Sequence, residues 1–166
     1  MQADYRSRLD AAKSLPDIFE LVKSLVLKSM NKSRGGLMLG MANLGNNPQG
    51  YFGGFFTTGP NVIVLNKIPL ERIMETRPEL YKPYVFHVLL HEYIHSLGFL
   101  DESDVKSKVF EITREALGEK HLATQIAADA RVFIQDLAYP GVSWKPDDEG
   151  LELVAGFDRS SVSYIA

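Results

Sequence analysis

Apolar residues recur with helical spacing in the first part of the chain and predict two helices there. The helices are expected over residues 3–13 and 16–30. In the second of them the apolar side chains fall on one face, which comprises Ile18, Leu21, Val22, Leu25 and Val26. Ser14 is placed to cap this helix, and Pro16 fits its first turn. We therefore expect the second helix to pack against a hydrophobic core.

Short apolar runs in the next part of the chain predict strands. Residues 36–45 form one such run, and residues 61–66 form a continuous β-branched run that is typical of a central strand. Between them, residues 51–56 combine aromatic side chains with glycine. An edge strand of the sheet is expected near 37–44 or 51–57. Alternatively, the glycines in these segments serve only hairpin turns.

A central, buried helix is predicted over residues 83–97. Apolar side chains surround this segment on nearly every side, and Pro83 fits its first position. Gly98 follows where a C-terminal cap glycine is expected. Further helices are predicted from residue 103, with Ser103 as a possible cap, and over residues 122–137.

Together these elements predict a single α+β domain over residues 1–166. A chain of 166 residues with 45% hydrophobic residues is long enough to bury a core. In order, the parts are an N-terminal helical segment, a small sheet, the buried helix, C-terminal helices and an extended tail, at residues 1–30, 36–66, 83–97, 103–137 and 138–166.

Three polar residues interrupt the buried helix, and they form the pattern H-E-x-x-H with His91, Glu92 and His95. Positions four apart are separated by about 40° around a helix, so both imidazoles can reach one metal ion. Glu92 is offset to one side, where it can hold and deprotonate a metal-bound water. Buried polar side chains need partners, and a metal with its water would supply them.

Two downstream residues extend the pattern to H-E-x-x-H-x-x-G-x-x-D. A chain reversal at Gly98 can bring Asp101 under the histidines as a third, oxygen ligand. The alternative is that Asp101 caps the next helix. Glu115, at the edge of the apolar stripe of that helix, is a second candidate for the third ligand, with a solvated glutamate as its alternative.

The extended pattern resembles the zinc-binding motif of zincin metallopeptidases, in the metzincin variant with aspartate as third ligand; the matching residues are His91, Glu92, His95, Gly98 and Asp101. The resemblance implies a zincin-like mixed sheet, bound Zn²⁺, a peptide or protein substrate, and Glu92 as the catalytic base. It also implies that the substrate pairs with the edge strand expected near 37–44 or 51–57 through backbone hydrogen bonds. Metzincins also have a methionine turn after the third ligand, whereas the last methionine here is Met74. In gluzincins a glutamate on a following helix is the third ligand, which is the position that Glu115 would take.

Four other residues are candidates for orienting a ligand, binding the metal or stabilising an oxyanion. His87 lies one turn before His91, as a donor to the site or as a core residue. His121 is a distant ligand candidate or a solvated residue at a helix start. Tyr51 and Tyr139 are candidates for stabilising an oxyanion.

Two alternative functions remain open beside peptide hydrolysis. A family of endoribonucleases has H-x-x-x-H-x-x-G-x-x-H, a pattern with the same spacing that lacks Glu92 and ends in histidine. The other alternative is a non-catalytic, zinc-stabilised domain, in which Asp101 and Glu115 both bind the metal and close the site.

Composition narrows the expected partners and compartment. The formal net charge is -3 and no basic tract occurs, which argues against nucleic acid as a partner. No apolar run approaches membrane-spanning length, and the N-terminus lacks the apolar core of a signal peptide. Cysteine is absent, so disulfides are excluded. We expect a soluble cytoplasmic protein.

Overall fold

The computed structural model, which describes residues 2–59, 61–144 and 150–158, combines helices with a four-stranded mixed sheet. This arrangement confirms the α+β class. In chain order the elements are α1 (Gln2–Ala11), α2 (Leu15–Met30), β1 (Met38–Ala42), β2 (Gly54–Thr57), β3 (Val62–Asn66), α3 (Lys67–Thr76), a 3-10 turn (Pro78–Leu80), α4 (Tyr81–Ser96), α5 (Glu102–Leu117), α6 (Leu122–Ala128), a second 3-10 turn (Ala130–Phe133), α7 (Ile134–Leu137) and β4 (Glu152–Val154).

The sheet has the strand order β2-β3-β1-β4. β1 and β3 are parallel, and the two outer strands pair antiparallel with their neighbours. Every residue of β3 is buried, which confirms the prediction of a central strand. β1 lies between β3 and β4, so the prediction of an edge strand near 37–44 is wrong. Its pairing with β4 depends on residues far along the chain, which local patterns do not reveal. β2 is an edge strand among the strands described.

Helix α4 lies at the centre of the molecule, as its apolar composition predicts. It packs against α2, α5, α6 and β2, and its side chains Tyr84, Phe86, Leu89 and Tyr93 are almost completely buried. The helix begins at Tyr81, so the prediction that Pro83 takes its first position is wrong. Proline is tolerated there because the first four N–H groups of a helix have no helical partner. None of the described helices, α4 included, has the length and apolarity to cross a membrane.

The boundaries of the later helices differ from the predicted ones. Asp101, and not Ser103, caps α5 by accepting a hydrogen bond from the Asp104 N–H at 3.0 Å. The helix predicted over 122–137 is broken, because Asp129 is extended and its carboxylate accepts a hydrogen bond from the Arg131 N–H. A new turn therefore starts there.

The predicted extended tail is described in part. It contains β4, and beyond this strand Phe157 and Asp158 are buried. Phe157 stacks on Phe19 with ring centroids 4.1 Å apart, and Asp158 forms an ion pair with Lys23 at 2.7 Å. These contacts attach the segment to α2. Positions 145–149 and 159–166 of the predicted tail lie outside the described residues.

Arg34 connects the C-terminal end of α4 to the segment before β3. Its backbone N–H donates to the Tyr93 hydroxyl at 3.0 Å, and its guanidinium donates to the Ser96 carbonyl oxygen at 2.5 Å and to the Asn61 side-chain oxygen. The last carbonyl groups of a helix lack helical partners and carry partial negative charge, so a guanidinium stabilises them. These contacts tie the end of α4 that carries the H-E-x-x-H residues to the segment before β3.

Candidate metal centre

Two histidines of α4 and one glutamate of α5 bring their ligand atoms together. The His91 and His95 rings are 4.9 Å apart between centroids. The Glu102 carboxylate lies against both, with Oε2 3.1 Å from His91 Nε2 and Oε1 2.5 Å from His95 Nε2. The ligand atoms of all three side chains lie within 4.8 Å of one another, as a metal site requires.

The donor set fits a zinc ion. Imidazole nitrogens and carboxylate oxygens bind Zn²⁺ at about 2.0–2.2 Å, so tetrahedral ligand atoms are about 3.3 Å apart. The observed separations are on this scale, and the Glu102 side chain is 61% exposed, which leaves it free to adjust. Glu102 and the two histidines can therefore hold one metal ion with a coordination position to spare.

A backbone contact fixes the orientation of His95. Its Nδ1 lies 2.7 Å from the Phe99 carbonyl oxygen. Because a carbonyl can only accept, Nδ1 carries a proton, which leaves Nε2 as the ring nitrogen that could bind a metal ion. A hydrogen bond of this kind on the other ring nitrogen is typical of metal-binding histidines. The contact forms because Gly98, with φ of 106°, reverses the chain after α4, as predicted.

The predicted third ligands lie outside this group of three. Asp101 uses its carboxylate to cap α5, which was the alternative stated for it. Glu115 is exposed further along α5 and is not part of the group. Asp101 as a metal ligand remains a prediction, and Glu102 now competes with it.

Glu92 is the buried acid of the site. It is 7% exposed and lines the same pocket as His91 and Glu102. Burial and the negative charge of Glu102 raise the pKa of Glu92 to about 8. A nearby cation would favour its ionised form. Its carboxyl group can therefore exchange a proton near neutral pH.

His91 and Glu102 of the candidate metal-ligand group line a pocket of about 740 Å³. One wall is the segment from Gly50 to Gly54, which leads into β2, and the others come from α4, α5 and the region of α6 and α7. Gly53 and Gly54 permit close packing here: a Cβ at Gly54 would lie 2.3 Å from the Val64 carbonyl oxygen. For these two glycines, the alternative that they serve only hairpin turns is wrong.

The two remaining histidines have different surroundings. His87 lines the pocket, and its buried Nδ1 has no hydrogen-bond partner among the described residues. Burial, followed by the charges of His91 and Lys106, lowers the pKa of His87 to about 3. His121 caps α6 by accepting from the Ala123 N–H, so it lies at a helix start as its alternative predicted, although it is only partly exposed.

Of the two tyrosines considered for oxyanion stabilisation, only Tyr51 lines the pocket. Burial raises the pKa of Tyr51 to about 12, so its hydroxyl keeps its proton and remains a donor. Tyr139 instead donates a hydrogen bond to Glu75 at 2.8 Å. It is not among the residues that line the pocket.

Sequence reasoning missed Glu102 and Lys106, both of which line the pocket from α5. A signal for them was present in Asp101-Glu102-Ser103-Asp104, where an acidic residue three positions after an aspartate is close to a capping box. Such a box places the helix start at Glu102, and the next turn at Lys106.

No family model, no curated protein and no solved structure matches this chain. What the site does therefore has to follow from its own side chains. These are a group of two histidines and a glutamate that could hold a metal ion, a buried acid and an adjoining pocket.

Proposed function

We propose that the protein is a metal-dependent hydrolase, most similar to a zinc metallopeptidase with a zincin-like fold. The observation that carries the proposal is the convergence of His91, His95 and Glu102, two of which line a pocket together with Glu92. In this proposal Glu102 is the third ligand, and Asp101 is the competing assignment. Three ligands leave a position of tetrahedral zinc for water or substrate, which favours catalysis over a closed structural site.

The chain's own groups fit peptide hydrolysis. A bound Zn²⁺ supplies a Lewis acid that polarises a carbonyl group and lowers the pKa of water. Glu92 then takes a proton from the attacking water and returns it to the leaving amine. Tyr51 is available to donate a hydrogen bond to the developing oxyanion.

The edge strand supports an extended peptide as the substrate. β2 pairs with β3 on one side, and on the other it has no partner strand among those described. The segment that enters β2 lines the pocket beside the metal-binding group. An extended peptide can add to such an edge through backbone hydrogen bonds, which places a peptide bond near the ligands.

The direct test is metal content and peptide hydrolysis for the wild type and Glu92→Gln. We expect about one zinc per chain in both proteins and hydrolysis reduced by about 10²- to 10⁴-fold in the variant, because only the proton acceptor is lost. The control is Glu111→Gln, an exposed glutamate on α5. Undiminished hydrolysis by Glu92→Gln would exclude the mechanism, and absence of metal from the wild type would exclude the metal centre.

A further inference from the structure

We propose that Lys106 binds a carboxylate of the substrate beside the metal centre. The inference rests on the proposed function and identifies the class of peptide that the site takes. Lys106 follows Glu102 by one turn of α5, and both side chains line the pocket. The Lys106 charge acts on His91, so a substrate at the candidate metal-ligand group would lie in the field of this ammonium.

Lys106 is the pocket cation that no protein carboxylate balances among the described residues. The other cation, Arg131, forms an ion pair with Asp129 at 3.0 Å. Glu102 directs its carboxylate to the two histidines and not to Lys106. With a divalent metal in place, the ligand charge of Glu102 would be more than offset, and the pocket would attract an anion.

A second lysine on the same helix, Lys108, differs from Lys106 because a carboxylate neutralises its charge. Lys108 pairs with Asp104 at 2.6 Å and lies 4.8 Å from the centroid of the Phe99 ring. It does not line the pocket. Lys106 and Lys108 therefore share a helix and a charge but differ in orientation and in partners, which makes Lys108 a matched control.

Lys106 is exposed, so its ammonium is accessible to a substrate in the pocket. Val88, Ile126 and Ile134 contribute apolar surface to the same pocket. A salt bridge gains strength where a bound ligand and apolar walls displace water. A peptide carboxylate has two sources, namely the side chain of an acidic residue or a free C-terminus, and the two share the chemistry that Lys106 recognises.

The test is the binding of four short peptide hydroxamates to the zinc-loaded full chain, measured by calorimetry. The four carry glutamate or glutamine, each with a free or an amidated C-terminus, so that both sources of a carboxylate are sampled separately. We expect one of the two carboxylates to tighten binding about tenfold, as a charge-assisted hydrogen bond would. Lys106→Met should abolish the difference, whereas Lys106→Arg and Lys108→Met should keep it.

Two results would overturn the inference. The first is equal binding of all four hydroxamates by the wild type, and the second is an undiminished preference in Lys106→Met. Either would show that Lys106 does not recognise the carboxylate, and neither would contradict the proposed metal centre. If the wild type binds no zinc and none of the hydroxamates, the proposed function fails, and the inference fails with it. Loss of the carboxylate preference alone therefore contradicts the role of Lys106, whereas loss of all zinc and hydroxamate binding contradicts the proposed function.

Discussion

The two walls of the candidate metal centre differ in how firmly they are held. His91 and His95 belong to the most buried helix of the core, and their side chains are 15% and 14% exposed. Glu102 belongs to the first turn of α5 and is 61% exposed. Both helices pack into the core, but the two histidines lie on a buried part of α4, whereas Glu102 extends from the exposed first turn of α5. We call the two histidines of α4 the rigid wall and Glu102 of α5 the adjustable wall. A bound metal ion would link the two walls.

The largest effect on metal binding is expected from the rigid wall. His95→Asn should lower zinc affinity by about 10²- to 10³-fold, because about 10–16 kcal/mol shared among four ligands gives each roughly 3 kcal/mol. Competition with a chelator measures the affinity. His121→Asn is the control, since asparagine keeps the α6 cap and the residue lies outside the group. Equal affinity for zinc in His95→Asn and the wild type would remove His95 from the site.

A smaller loss is expected from the adjustable wall. Glu102→Gln should lower zinc affinity by about 30- to 100-fold, because an amide is a weaker ligand than a carboxylate and an exposed position can admit water instead. The same chelator competition applies, with Glu111→Gln as the control. If Glu102→Gln binds zinc as the wild type does and Asp101→Asn does not, Asp101 is the third ligand.

His87, whose Nδ1 is buried on α4, is expected to make the stability of the protein depend on pH. Its pKa is about 3 in the folded protein against an ordinary value of 6.5, so protons bind preferentially to the unfolded chain. Its contribution to stability is complete above pH 6.5 and is lost as the pH falls from 6.5 towards 3. At pH 5 this loss is about 1–2 kcal/mol in the metal-free protein.

Substitution of His87 isolates that contribution. His87→Leu removes the titrating group, so its free energy of unfolding should fall less between pH 7.5 and pH 5 than that of the wild type. Urea titrations of the metal-free proteins at pH 7.5 and pH 5 measure the change in the free energy of unfolding. Identical losses in the two proteins would show that His87 is not buried as a neutral group.

The smallest effect concerns the cap that positions the α5 wall. Asp101→Ala should lower the free energy of unfolding by about 1 kcal/mol, because the Asp104 N–H loses its acceptor. Asp101→Asn should restore stability, since asparagine is an equally good cap. Urea titration measures stability, and both variants should retain zinc. Loss of zinc in Asp101→Asn with unchanged stability would identify a ligand and not a cap.

Features fixed by one helix or one strand were predictable from the sequence. The stripe and Ser14 cap of α2, the buried strand β3 and the positive φ of Gly98 are confirmed. In each case the spacing or conformation of neighbouring residues decides the outcome, so a local pattern is sufficient.

Features that depend on a change of chain direction were not predictable in the same way. Glu102 reaches the histidines because of the path from Gly98 to the Asp101 cap, and a shift of one residue in the helix start changes which acid faces α4. The break at Asp129 was hidden in an alanine-rich stretch with good helix formers. The interior position of β1 required knowledge of its partner β4.

The contacts of Arg34 bear on the rate at which the candidate metal centre would exchange its ion. Its guanidinium donates to the end of α4 and to the Asn61 side chain, and its backbone N–H donates to Tyr93 in the core. The helix that carries both histidines is thus assembled by contacts that do not involve the ion. Metal exchange should therefore proceed in an already folded protein, at a rate set by ligand rearrangement at Glu102 and not by refolding.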